Sequence, residues 1–179
     1  MRTILRVALV TVALALCSGC GEQDETVASM NEATLIAWGK KTIDCSVPGM
    51  GVELALPPTR SDITGDGTRD VIASFECVTG DASSFSHVVA LDGGSAANNP
   101  KVIGTLIRMA EGKDYRQALK SGAKVRRVAV KGSVITVVAD KWRYTDAKAC
   151  PSLKYVQIFT VKESVLVAQK ATELEVPGC

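Results

Sequence analysis

Apolar residues recur along this chain with changing periods, and each change marks a different element. From Val7 to Leu16 there is no charge and almost every side chain is aliphatic, behind a cationic start at Arg2 and Arg6. The run is too short to span a bilayer, which needs about 20 apolar residues, but its order, charged then apolar then small, is that of a secretory signal. In Ser29-Met30-Asn31-Glu32 a hydroxyl residue is followed three places later by a glutamate able to reach back to it. That is the form of a capping box and predicts a helix starting there. It should run past Leu35, Ile36 and Trp38 and fade by about Thr42, with Gly39 its weak point. Val52, Leu54 and Leu56 then alternate as a short strand, which Pro57-Pro58 should end because proline cannot donate to a sheet ladder.

From Asp70 onward the period is two and branched residues dominate, the signature of strands. Val71, Ala73 and Phe75 share one face, and later runs at about 86–91, 101–108, 124–130, 133–139, 153–161 and 164–170 repeat the theme. Lys131-Gly132 and Lys162-Glu163 read as tight hairpins, while Lys113 to Lys120 reads as one or two helical turns. Strands joined this briefly pair antiparallel, since parallel neighbours need a crossover of about a dozen residues or more. The expected fold is mainly β with a helical part (α+β): one curled antiparallel sheet of about six to eight strands with the N-terminal helix against it. No repeat of about 20 to 50 residues is visible, which argues against a propeller or solenoid.

The apolar run closes on Cys17-Ser18-Gly19 before Cys20. This resembles the lipobox of bacterial lipoproteins, in which small residues precede the cysteine that is acylated and becomes the new N-terminus. Cys17 stands where that family usually carries an aliphatic residue, and it is a rival acceptor, but it follows Leu16 whereas Cys20 follows Gly19, the small residue that a signal peptidase wants before its cut. The resemblance implies a signal peptide over 1–19, lipidation at Cys20, a polar tether over 20–28 and a chain held outside the cytoplasmic membrane. The alternative is an ordinary secretory signal cut near Gly21. Stable anchoring takes about two acyl chains, and lipoprotein cysteines carry two or three. The remaining 29–179 is enough for one domain with a real core and too little for two.

Charge changes the picture only in distribution. The chain carries 21 basic and 19 acidic side chains, and the excess of +2 is Arg2 and Arg6 in the signal, so the mature chain is neutral and no nucleic-acid binder. Residues 21–80 hold 4 basic and 10 acidic groups against 15 and 9 in 81–179. Either the two halves interleave their charges, or Lys113, Arg116, Lys120, Lys124, Arg126 and Arg127 form a basic face for an anionic lipid, envelope polymer or protein partner. Four cysteines remain beyond Cys20: Cys45, Cys77, Cys150 and Cys179. In an exported domain an even number reads as two disulfides, for which three pairings exist; chain order suggests Cys45–Cys77 with Cys150–Cys179. Zinc is the other use of cysteine, but no two of these have the C-x₂₋₄-C spacing and His87 is the only histidine.

One stretch carries metal chemistry. Asp62-Ile63-Thr64-Gly65-Asp66-Gly67-Thr68-Arg69-Asp70 places oxygens at positions 1, 3, 5 and 9, the Thr68 carbonyl at 7, and Gly67 at 6 for the turn. That is the spacing of the first nine positions of a calcium loop. Ala73 stands where an EF-hand has its bidentate glutamate, and the loop leads into Val71-Ile72-Ala73, a strand. It resembles the Asp-rich loops of FG-GAP and VCBS-type repeats, which bind calcium; by position the ligands would be Asp62, Thr64, Asp66, Thr68 and Asp70. The motif occurs once here, and Thr64 replaces an acidic or amide ligand. The same residues also suit a metal-free turn held by side-chain-to-backbone bonds. Single turns of this kind beside paired cysteines look like those of small surface lipoproteins of high-GC Gram-positive bacteria.

Catalytic signatures are sparse. His87 lies in strand-like Ser86-His87-Val88-Val89 with no G-x-S-x-G nearby, and Trp142, Arg143 and Tyr144 suit either a ligand cleft or the core and rim of a loop. The expectation is a non-enzymatic, membrane-anchored cell-envelope lipoprotein, calcium-binding or not, serving as a binding or accessory module. The alternative is a secreted hydrolase or inhibitor whose site is assembled from dispersed loops.

Overall fold

The computed structural model describes residues 25–45, 51–78, 85–108, 122–147 and 149–176. The signal, Cys20, the first part of the tether, the expected turns at Lys113 to Lys120 and Cys179 lie outside them. A 3-10 turn at Val27–Ser29 leads to helix α1 (Glu32–Thr42), followed by strands β1 (Gly51–Ser61), β2 (Asp70–Val78), β3 (Ser86–Leu91), β4 (Val102–Ile107), β5 (Ala123–Lys131), β6 (Val134–Lys141), β7 (Leu153–Lys162), β8 (Val165–Ala168) and β9 (Thr172–Glu175). The chain is mainly β, but the strands form two antiparallel sheets where one curled sheet was expected. The first sheet has the order β1-β2-β3-β4; the second runs β5-β6-β7-β8, with β9 sharing with β8 the edge of β7 that faces away from β6.

The division follows from burial. Along β2, Asp70 to Phe75 are all buried, so this strand needs cover on both faces, which one helix cannot supply. One face, carrying Val71, Ala73, Phe75, Val89 and Leu91, meets α1 and the N-terminal residues Val27 and Met30. The other, carrying Ile72, Val88 and Ala90, meets Val125, Ile135, Val137, Phe159 and Val161 of the second sheet in a shared core. The layers are therefore helix, first sheet, second sheet. The sheets also approach at their edges, β1 beside β5 and β4 beside β8. At Gly104 a Cβ would lie 2.7 Å from that of Leu166, so glycine permits that approach.

Several local expectations change. The helix cap is Asn31, whose side chain accepts from the Thr34 N–H, while the Ser29 hydroxyl donates to the Thr26 carbonyl. Gly39 is a contact point: a Cβ there would sit 2.8 Å from the Phe75 ring. β1 runs through Pro57-Pro58, which an edge strand tolerates, with register shifts at Leu54/Leu56 and Leu56/Thr59. Gly132 takes the positive φ of its hairpin, and Glu163 and Ser164 take those of the next. Cys45 and Cys77, 32 residues apart, form a disulfide that ties the end of α1 to β2, and closing a loop of that length contributes about 4 kcal/mol. Cys150 is also disulfide-bonded, its partner lying outside the described residues.

Candidate functional site

The Asp-rich loop joins β1 to β2, and its last residue is its structural centre. Asp70 is fully buried. Its Oδ2 accepts from the Ile63 N–H at 2.9 Å, the Thr64 N–H at 3.1 Å and the Thr64 hydroxyl at 3.1 Å, and its Oδ1 accepts from the Gly93 N–H at 2.9 Å. Three donors crowd Oδ2 and one reaches Oδ1, so the buried carboxylate is hydrogen-bonded on both oxygens from within the protein. Gly93 can come so close because it lacks a side chain: a Cβ there would be 2.0 Å from the Arg69 carbonyl oxygen.

Nearer solvent, Asp62 accepts from the Gly65 and Gly67 N–H groups through its two oxygens, and Asp66 accepts from the Thr68 N–H. Gly65 and Gly67 hold φ of +80° and +88°, as the loop's double reversal requires. Of the five residues expected to hold calcium, Asp70 is committed to shaping the loop, whereas Asp62 and Asp66 keep acceptor capacity. As placed, their carboxylates are turned onto backbone N–H groups, and among the described residues no three or more His, Cys, Asp or Glu side chains group to hold a metal ion.

A second turn, Asp92 to Lys101, lies against this loop and escaped the sequence reading. Asp92 accepts from the Gly94 N–H and pairs with Lys101 at 3.1 Å. The same turn receives the N-terminal segment: Ala97 donates to the Glu25 carbonyl, Val27 donates to that of Ser95, and Ala28 donates to that of Gly93. Arg60 of β1 donates to the carbonyls of Ala28 and Met30. Asp-Gly-Gly directly after an aliphatic strand was the available signal: neither glycine takes a positive φ, and Gly93 serves instead for close approach to the Arg69 carbonyl.

The residues weighed for catalysis do not assemble. Ser86 and His87 are strand neighbours and point to opposite faces. The Ser86 hydroxyl accepts from the Val125 N–H at 2.9 Å, next to the bulge between Val125 and Arg127. His87 lies opposite Phe75 in the first sheet; burial lowers its pKa below 6.5, and the positive charge of Arg108 lowers it further. Trp142 is buried edge-on against Phe85 at 5.7 Å, whereas Arg143 is exposed and pairs with Glu175. Asp146 holds the following loop by accepting from the Arg143 and Ser152 N–H groups and the Ser152 hydroxyl. Burial raises its pKa, but these bonds and the Arg143 charge leave it lowered overall.

Of the six basic residues considered for a face, Lys113, Arg116 and Lys120 lie outside the described residues. Lys124 pairs with Glu76 at 3.8 Å, bridging the basic and acidic parts of the chain, and Arg126 pairs with Asp140 at 2.5 Å. Arg127 is exposed opposite Val138. No helix among the described residues is long and apolar enough to cross a membrane. No protein-family description, curated protein or solved structure matches this chain.

Proposed function

We propose that this chain is a lipid-anchored lipoprotein of a bacterial cell envelope, held outside the cytoplasmic membrane through Cys20, whose β domain acts as a non-enzymatic binding or accessory module. The observation that carries the reading is the use of cysteine in the domain. Cys45, Cys77 and Cys150 are all disulfide-bonded, which suits an oxidising compartment, and in the sequence Cys20 follows an apolar run and small residues. The hydrolase alternative draws no support from Ser86 and His87, because a nucleophile and its base must share a side. Replacing Cys20 by alanine should release the protein into the medium; retention of that variant in the membrane fraction refutes the anchor.

Calcium is a separable part of the proposal. On this reading the loop oxygens of Asp62, Thr64, Asp66 and Thr68 hold the ion, and Asp70 is the internal strut that shapes the loop. A calcium-loaded Cys20→Ala chain should melt several degrees above the chelator-treated one, and Asp66→Ala should abolish the difference. Equal midpoints in calcium and chelator remove the metal and leave the anchor reading untouched.

A further inference from the structure

The two sheets are stacked face to face, and their ends coincide. At one end Ser86 meets Val125 and Glu76 meets Lys124. At the other lie the 62–70 loop, the 92–101 turn and the hairpins Lys131–Val134 and Lys162–Val165, with Gly104 and Leu166 in contact just below. Glu25, hydrogen-bonded to Ala97, enters at this second end. Four residues lie between Cys20 and Glu25, and the five chain steps between the two reach at most about 18 Å when fully extended.

That same end carries an exposed aliphatic patch. Val134 is paired with Thr160 and Thr160 with Val167, so the three share the outer face of the second sheet. Val165, opposite Lys162, extends the patch to the hairpin tip. Val134, Val165 and Val167 are 38%, 60% and 43% exposed. Lys131 and Lys162 flank them, both exposed and without an ion-pair partner among the described residues. The one acid on these two tips is Glu163.

We propose that these two hairpin tips rest on the lipid surface: Val134, Val165 and Val167 enter the boundary of the acyl region while Lys131 and Lys162 pair with anionic headgroup phosphates. The inference rests on the anchor reading, since acylation at Cys20 makes the Glu25 end the membrane-proximal one. Exposed aliphatic side chains beside lysines are the surface chemistry of interfacial binding. At an anionic surface each lysine is worth about fivefold in binding. Contact at the tips converts a loose tether into a fixed orientation, with the Trp142 end turned outward.

The test uses the lipidated chain on vesicles of equal parts phosphatidylcholine and phosphatidylglycerol, compared by backbone hydrogen exchange with the Cys20→Ala chain in solution. Exchange should slow severalfold in peptides covering 131–134 and 162–167 and stay unchanged over 143–147. A Lys131→Glu/Lys162→Glu variant should lose that slowing while still sedimenting with vesicles and keeping its melting midpoint. A chain that sediments but shows no slowing at the tips, or equal slowing at both ends, overturns the surface contact and leaves the anchor standing. A chain that does not sediment overturns the anchor, and the contact with it.

Discussion

Among the described residues, the first sheet is covered on both faces and the second on one. In β2, buried residues follow one another from Asp70 to Phe75, whereas in β6 buried Ile135, Val137 and Ala139 alternate with less buried Val134, Thr136 and Val138. The first sheet is also tied by the Cys45–Cys77 bridge and by the four donors on Asp70. The second leaves an outer face on which Val156 and Ile158 belong to neither core cluster. Stability is thus concentrated in the middle layer and availability for contact in the outer one. Packing an interior removes freedom to accept substitutions, so the open face is where binding can vary without unfolding the domain.

The sharpest way to break this contrast is to truncate one large side chain in each sheet. Phe75 is fully buried beneath Gly39, with its ring centroid 5.8 Å from that of Trp38. Phe75→Ala should cost about 4 kcal/mol, while Ile158→Ala on the open face of β7 should cost about 1 kcal/mol. Urea unfolding of both variants measures the gap. Equal losses show that the second sheet has a cover outside the described residues.

A finer contrast sets two aspartates at opposite ends against each other. Asp70 and Asp146 each collect backbone N–H groups and one hydroxyl, but Asp70 does so with no solvent contact and Asp146 on a partly exposed loop. Asp70→Ala strands buried donors and should cost about 3 kcal/mol; at Asp146 water replaces the lost acceptor and the cost should be about 1 kcal/mol. The same melting experiment ranks them, and a reversed order contradicts the account of the 62–70 loop as the strut of this end.

Much of this fold was legible in the sequence because period-two patterns survive wherever one face is open. The runs that became β3 to β8 fall where the alternation placed them. What pattern alone could not show is which strands share a sheet, since that depends on packing between residues far apart in the chain, such as Ile72 and Val88 against Ile135 and Phe159. Pro57-Pro58 misled because proline forbids a central ladder but not an edge with bulges. Either side chain can cap a helix, but Ser29 closes the preceding 3-10 turn with its hydroxyl on the Thr26 carbonyl, and Asn31 is left as the cap. At the loop, Asp62 and Asp66 were found by spacing; the role of Asp70 needed Gly93, which lies 23 residues away. Long-range partners of a buried carboxylate leave no local signature.

The smallest expected effect separates the layers by pH. His87 lies on the helix-facing side of the first sheet, where burial first and Arg108 second hold its pKa below 6.5 in the folded chain. The unfolded chain binds a proton there as pH falls through about 6.5, while the folded chain still resists it. Stability is therefore undiminished above that pH and declines below it, by no more than about 1.4 kcal/mol per pH unit for a single proton. His87→Gln should flatten the decline between about pH 7 and 5, before the carboxylates titrate. Arg108→Gln should reduce it only in part, because the larger cause is burial. If Arg108→Gln flattens the profile as fully as His87→Gln, the charge and not the cover over the first sheet sets the titration of His87.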